Sequence, residues 1–241
     1  MPPTINITRQ AIWIAHACSG SGVGELAIQL ALQKLWTNNI QLAFIGGLSY
    51  EIDEDALRLH AIITNDCPIK LTPRGNIKQW PQNTQLAPNE PNILKLLVAG
   101  TPCEQISRGA LDTQYKKKIG LHAEPSNIIW LWHEGVVNIL RKYQHTDVAV
   151  FSEQVVPYDD KIITQLSNIL GNQRRVECSQ WGGATRTRDF YLIPEINISP
   201  IPTKAARTYN LRDGWRWPIP KLQHLMTPPP TLRAIYPELL R

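Results

Sequence analysis

The chain has only four cysteines in 241 residues, Cys18, Cys67, Cys103 and Cys178, and no two of them form a CxxC pair. That excludes a zinc site of local spacing and a disulfide framework, and it fits a reducing compartment. No apolar stretch approaches the ~18 residues of a membrane span. The start, Met1 to Ile7, has neither the basic nor the apolar region of a signal peptide. A cytoplasmic setting, prokaryotic or viral, is the expectation. What the chain does have is 43% apolar residues, enough for one large core, and a net charge of +5. The charge is unevenly spread. Residues 1–160 hold 13 Lys/Arg against 15 Asp/Glu, a balance of −2; residues 161–241 hold 12 against 5, a balance of +7. A basic end of this kind points to a polyanionic partner.

Hydrophobic patterning alternates between strands and helices. Ala11–Ala15 reads as a buried strand, Ser19–Gly24 as a turn, and Glu25–Trp36 as a helix. A second strand runs over Gln41–Leu48, followed by a short helix over Asp55–Ala61. Leu94–Ala99 is a later strand, and 72–93, rich in Pro, Asn and Gln, reads as a long connection. Ser126 is placed to cap a helix reaching Tyr143, with Ile128, Ile129, Trp132, Val136 and Leu140 inward. Asp147–Phe151 is a strand, Asp160 caps a helix that stops at Gly171, and Val176–Gln180 and Phe190–Ile193 are the last strands. Such alternation predicts an α/β fold with a parallel sheet covered on both faces. Residues 1–197 read as that domain; residues 198–241, with eight prolines, read as an irregular basic tail.

Chemistry concentrates at the strand ends. Gly20, Gly22 and Gly24 let the backbone approach a ligand ahead of a helix N-terminus. Glu51, with Asp53 as the weaker candidate, ends the second strand, where an acid accepts hydrogen bonds from ribose hydroxyls. Gly100-Thr101-Pro102 breaks the next strand and leaves Cys103 at the carboxyl edge of the sheet. A lone cysteine is more often core filler, but at this edge a thiol can act as a nucleophile. Glu153 ends the following strand, where a carboxyl group can work as an acid beside the thiol. Arg186 and Arg188, at alternate positions of an extended segment, can hold a phosphate or a base carbonyl. Lys116-Lys117-Lys118 reads as a solvated loop able to meet a nucleic-acid backbone.

Taken in order, these parts resemble the DNA cytosine-5 methyltransferases over roughly residues 10–195. Cys18-Ser19-Gly20-Ser21-Gly22 is similar to the family's cofactor loop, Glu51-Ile52 to its ribose-holding acid, and Gly75-Asn76-Ile77 to its Gly-Asp-Ile turn. Pro102-Cys103, with Ser107 four residues on, resembles the nucleophile loop; Gly120-Leu121 resembles the next motif. Glu153-Gln154-Val155 resembles Glu-Asn-Val, and Arg186-Thr187-Arg188 the family's Arg-x-Arg. Trp215 to Pro218, followed by His224-Leu225, is similar to the closing cofactor motif of the animal de novo-type enzymes.

The resemblance implies a Rossmann-like class I S-adenosylmethionine-dependent methyltransferase: a mostly parallel seven-stranded sheet with helices on both faces. It implies S-adenosylmethionine as cofactor, DNA or alternatively RNA as partner, and no metal and no membrane. Cys103, Glu153, Arg188 and Arg186 are the implied catalytic residues. Cys18, Ser19, Gly20, Ser21, Gly22, Glu51, Ile52, Asn76, Ile77, Pro102 and Trp215 are implied to hold the cofactor. Ser107 and Lys116 to Lys118 are implied to meet nucleic acid. The chain departs from the pattern at Cys18, where the family has an aromatic residue, and at Asn76, Gln154 and Ala184. Only some twenty residues separate Ile193 from Trp215, where the family places a long target-recognition region. A partner subunit or a second copy is therefore the expected source of target recognition. A regulatory, methyltransferase-like subunit is the alternative from another class; a Rossmann dehydrogenase leaves Pro102-Cys103 unexplained.

Overall fold

The computed structural model describes residues 11–37, 42–90, 92–107, 120–143, 147–177 and 187–193. Strand β1 (Ala11–Ala17) lies between β2 (Ala43–Tyr50) and β4 (Ile93–Ala99), parallel to both. Being covered on both faces, β1 is apolar almost throughout, as a central parallel strand must be. Outward on one side comes β3 (Thr72–Pro73); on the other come β5 (Val148–Val155), β7 (Thr187–Ile193) and the edge strand β6 (Asn172–Glu177). The order β3-β2-β1-β4-β5-β7-β6 is parallel except at β7, which runs antiparallel to both neighbours. β6 and β7 follow one another among the described elements, and an antiparallel return needs no crossover. This is a Rossmann-like, mostly parallel seven-stranded sheet, as the resemblance implies, with one strand reversed in a sheet that alternation alone predicts to be parallel.

Helices cover both faces. On one face Ile12, Ile14, Leu94 and Leu96 pack with Leu26 and Leu32 of α1 (Val23–Thr37) and with Cys67, Ile69 and Leu71, which follow α2 (Glu54–Ile63). On the other, Trp13, Ala15, Leu97 and Val150 pack with Trp80 of α3 (Trp80–Asn83), Trp132, Val136 and Ile139 of α4 (Ile128–Lys142), and Leu166 and Leu170 of α5 (Asp160–Leu170). The alternation along β1 thus feeds two separate cores. Among the described residues no helix is long and apolar enough to cross a membrane.

Several expected elements shift. The 72–93 connection contributes β3, two 3-10 turns and α3, and delivers Trp80 into the core. Trp80 stacks on Trp132 at 5.4 Å, meets Tyr50 edge-on at 5.8 Å, and donates its indole N–H to the Trp132 carbonyl at 3.2 Å. A single large ring outweighs the polar composition around it. Helix α4 starts at Ile128, because the Ser126 hydroxyl accepts the Gln105 amide instead of capping a helix. The cap of α5 is Asp159, whose carboxylate accepts from Lys161 N at 2.8 Å, so the helix begins at Asp160 itself. It ends as expected at Gly171, whose φ of 99° suits glycine. Strand β5 runs on past Phe151 because its ladder with β7 continues to Val155. The last strands begin earlier than expected, at Asn172 and Thr187. The boundary at 197/198 and the tail lie outside the described residues.

Gly135 of α4 has no room for a side chain, since an added Cβ would lie 2.0 Å from Trp80 Nε1. Gly135→Ala gains about 1 kcal/mol of helix propensity but must displace a stacked indole, and overpacking costs about 1–3 kcal/mol. The expected outcome is a net loss of stability in urea unfolding; a gain in midpoint would contradict this packing.

Candidate active site

Three loops meet at one edge because three strands end together. Ala17 of β1 pairs with Ala99 of β4, and Ala99 with Ser152 of β5. The chain leaves this carboxyl edge as the glycine turn, the Cys103 turn and the end of β5. In open α/β sheets that edge is where ligands bind.

The glycine turn is left-handed at Cys18 (φ 52°), Gly20 (φ 55°) and Gly22 (φ 81°). Ser19 N–H donates to the Tyr50 carbonyl at 3.1 Å, tying the turn to the end of β2. Glu51 then organises both strand ends. Its Oε2 accepts from Gly20 N at 2.8 Å, and its Oε1 accepts from Ile52 N at 2.8 Å and Asp53 N at 3.0 Å. A Cβ added at Gly20 would meet nothing within 4 Å, so this side of the turn is open. Ile52 is 63% exposed beside it. Asp53, the weaker acid candidate, caps α2 by accepting from Ala56 N at 2.8 Å. Gly75 is left-handed, Asn76 Oδ1 accepts from Lys78 N at 2.9 Å, and Ile77 is buried in the core. The Arg74 amide donates to Ser49 O at 2.8 Å, which holds this second turn against β2. Burial pushes the Cys18 thiol up to about 12, with Glu51 and Glu104 adding to the shift.

The Cys103 turn is anchored along its length. Gly100 N donates to Ala17 O at 3.3 Å, and the Cys103 carbonyl accepts from Ile106 N at 3.0 Å and Ser107 N at 2.9 Å. Ile106 is fully buried, and its carbonyl accepts from Tyr158 N at 3.1 Å. Ser107, expected to face nucleic acid, forms a β-bridge with Pro157. Gln154, 1% exposed, donates Nε2–H to the Thr101 carbonyl at 2.8 Å and also to the Thr101 hydroxyl. The side chain thus reaches from β5 to the turn after β4, leaving Gln154 Oε1 buried without a hydrogen-bond partner.

Glu153 lies within β5 rather than beyond it, opposite Phe190. It still reaches the turn, because a Cβ on Gly100 would lie 3.7 Å from Glu153 Oε2. Arg188, opposite Val155, is its diagonal neighbour across the ladder. Arg188 Nε stands 2.6 Å from Glu153 Oε1, a charge contact in which the Nε–H itself is not aimed along the line. Arg188 Nη1 donates to the Thr187 carbonyl at 2.9 Å. Arg186, Trp215 and Lys116 to Lys118 lie outside the described residues.

The sequence reading missed one cluster. His16 of β1, Glu25 of α1 and His60 of α2 meet behind the glycine turn, with His16 Nδ1 at 3.1 Å and His60 Nε2 at 3.3 Å from Glu25 Oε1. Burial pushes the Glu25 carboxyl up. The hydrogen bond and charge of His16, the backbone and His60 outweigh it and hold the group below the ordinary carboxylate value. Glu25 is therefore ionised at neutral pH and can only accept, so both imidazoles present N–H groups. The available signal was a histidine inside an otherwise apolar strand.

No protein-family model and no curated protein matches the chain. Solved structures do. An rRNA methylase from Streptococcus thermophilus is similar over 77% of this chain and 89% of its own, at 10% identity and a TM-score of 0.39. TrmK from M. capricolum, in complex with S-adenosylhomocysteine, is similar over 78% of this chain and 67% of its own, at 6% identity and a TM-score of 0.34. A methyltransferase subunit of a type I restriction-modification system from Streptococcus thermophilus is similar over 78% of this chain and 40% of its own, at 11% identity and a TM-score of 0.40.

With its thiol pushed up to about 12, Cys18 is thiolate in only about 1 molecule in 10⁴ at pH 8. Mass spectrometry after brief iodoacetamide treatment is expected to find Cys18 unmodified. Gln154→Leu removes the tie to Thr101, at a cost of about 1 kcal/mol per lost hydrogen bond. Faster amide exchange at Thr101 and Cys103 is expected, with β1 unchanged; equal exchange in both proteins would show that Gln154 does not hold the turn.

Proposed function

We propose that this chain is an S-adenosylmethionine-dependent methyltransferase that methylates C5 of a cytosine in DNA. The observation that carries the reading is the convergence of the open glycine turn with Glu51, the Cys103 turn and the Glu153–Arg188 pair on one carboxyl edge of a single sheet. The residues fit the cofactor. Gly20 leaves room for a ligand at the turn, Glu51 holds a carboxylate against that turn where it would accept from ribose hydroxyls, and Ile52 offers an exposed apolar surface. The cofactor, when bound, supplies an electrophilic methyl group. Everything else falls to this chain.

Cytosine C5 is a poor nucleophile. The Cys103 thiolate adds to C6, which makes C5 enamine-like and able to take the methyl group. Glu153, carrying a proton, donates it to N3 of the base and so neutralises the negative charge that develops there. Arg188 orients Glu153 and reaches the base carbonyl. Loss of the C5 proton to a base then expels Cys103 and restores aromaticity. A stacked cytosine is out of reach of a turn at a sheet edge, so the base must be flipped. The short Ile193–Trp215 interval favours a second reading, a cytosine in RNA, because little chain is left to read a duplex. A regulatory subunit without turnover is the reading if chemistry fails while the cofactor binds.

The test uses labelled S-adenosylmethionine with duplex DNA or RNA carrying 5-fluorocytosine, which traps the Cys103 adduct because the C5 fluorine cannot leave. A denaturation-resistant adduct on DNA, lost in Cys103→Ala and slowed about 10²–10⁴-fold in Glu153→Gln, is the expected outcome. Adduct on RNA alone moves the proposal to the second reading. Absence of cofactor binding overturns the enzyme altogether.

A further inference from the structure

The proposed reaction makes no use of His16, Glu25 and His60, yet these three side chains sit directly against the turn it needs. Glu25 is 0% exposed, and its Oε2 has no hydrogen-bond partner. His16 comes from the end of β1, Glu25 from the first turn of α1, and His60 from the last turn of α2. One carboxylate oxygen thus joins the strand before the glycine turn, the helix after it, and the helix that follows Glu51.

The imidazoles also set the space available to the backbone. A Cβ added at Gly22 would lie 2.5 Å from His60 Cδ2 and 2.7 Å from Thr64 Cγ2; one at Gly24 would lie 2.4 Å from His16 Cε1. Gly20 has open space where Gly22 and Gly24 have rings. The turn therefore rests on the two histidines and is open at Gly20. Burying a carboxylate is costly, and apolar side chains of similar volume fill such a space at lower cost. What apolar packing lacks is direction. Two N–H groups converging on one oxygen fix the planes of both rings, and the ring planes fix the height of the turn.

We infer that His16, Glu25 and His60 are positioning residues that hold the glycine turn in its cofactor-binding shape. The inference rests on the proposed cofactor and adds the device that prepares its site. It predicts a split between binding and chemistry. Glu25→Leu removes two hydrogen bonds, and S-adenosylhomocysteine affinity, read by titration calorimetry on the full chain, is expected to fall about tenfold. Glu25→Gln keeps an acceptor oxygen, and His60→Gln keeps a donor near the Nε2 position; each is expected to stay within about threefold of the native affinity. At saturating S-adenosylmethionine the rate of adduct formation on 5-fluorocytosine DNA is expected to be unchanged.

Amide exchange in the cofactor-free protein gives a second, independent reading. The amides of Gly20, Gly22 and Glu25 are expected to exchange faster in Glu25→Leu, with those of β4 unaltered. A folded Glu25→Leu protein that binds like the native one, or whose turn amides exchange at the native rate, overturns the inference. Should Glu25→Leu not fold, His60→Ala at the partly exposed end of the cluster replaces it, with the same expectations. If the native protein binds no S-adenosylhomocysteine, the proposed function fails, while the exchange comparison still decides whether the cluster holds the turn.

Discussion

Everything at the site depends on the register of three parallel strands. Between Ala11 and Ala17, β1 pairs with β4 without a slip, and β4 pairs with β5 in the same continuous fashion up to Ser152. The glycine turn, the Cys103 turn and Glu153 are distant in sequence, yet the ladders bring them to one height. A slip of one residue would exchange the two faces of a strand, sending Ala15 and Leu97 toward α1 and Ile14 and Leu96 toward α4. The two cores flanking the sheet differ in size and shape, so they enforce the register, and the register in turn places the chemistry.

Parts of this were legible from sequence because they are local. An apolar run followed by Gly-rich or Gly-Thr-Pro punctuation locates β1, β4 and their turns, and Glu51 follows from its position after β2. What escaped depends on partners far along the chain. Trp80 sits in a polar, proline-containing stretch, and only the Trp132 ring and the gap at Gly135 make it a core residue. The reversal of β7 is invisible to alternation, since an antiparallel strand shares the same residue pattern. Glu25 stands in the first turn of a helix, where an acid is ordinary; its two histidines lie 9 residues before it and 35 after it. The Glu153–Arg188 pair was legible residue by residue, but its diagonal geometry needed the ladder.

The site side of the sheet also carries an unusual amount of buried polarity. Asp189 is fully buried and takes two hydrogen bonds from Arg175, at 2.8 and 3.0 Å. Toward the opposite end of the sheet, where it pairs with Val148, Lys95 is buried with its ammonium 4.3 Å from the centre of the Tyr143 ring. Ser152 accepts the Trp132 indole N–H at 3.1 Å, one position before Glu153. Each contact adds less stability than apolar packing of similar size, because desolvation offsets most of it. Each is directional, and Ser152 and Asp189 stand next to Glu153 and Arg188 along their strands.

The far side of the sheet has a different problem. β3 pairs with β2 only at Leu48 and Ser49, so among the described residues the Ala43–Gly47 half of β2 has no neighbour on its outer side. A long, flat edge of this kind would invite strand addition from another molecule. This one is not flat. The β1–β2 register shifts between Ile12 and Trp13, leaving Ile45 out of the pairing, and Gly46 turns the chain with a φ of 134°. The bulge that looks like an imperfection in the ladder bends this edge, and a bent edge is a poor template for another strand.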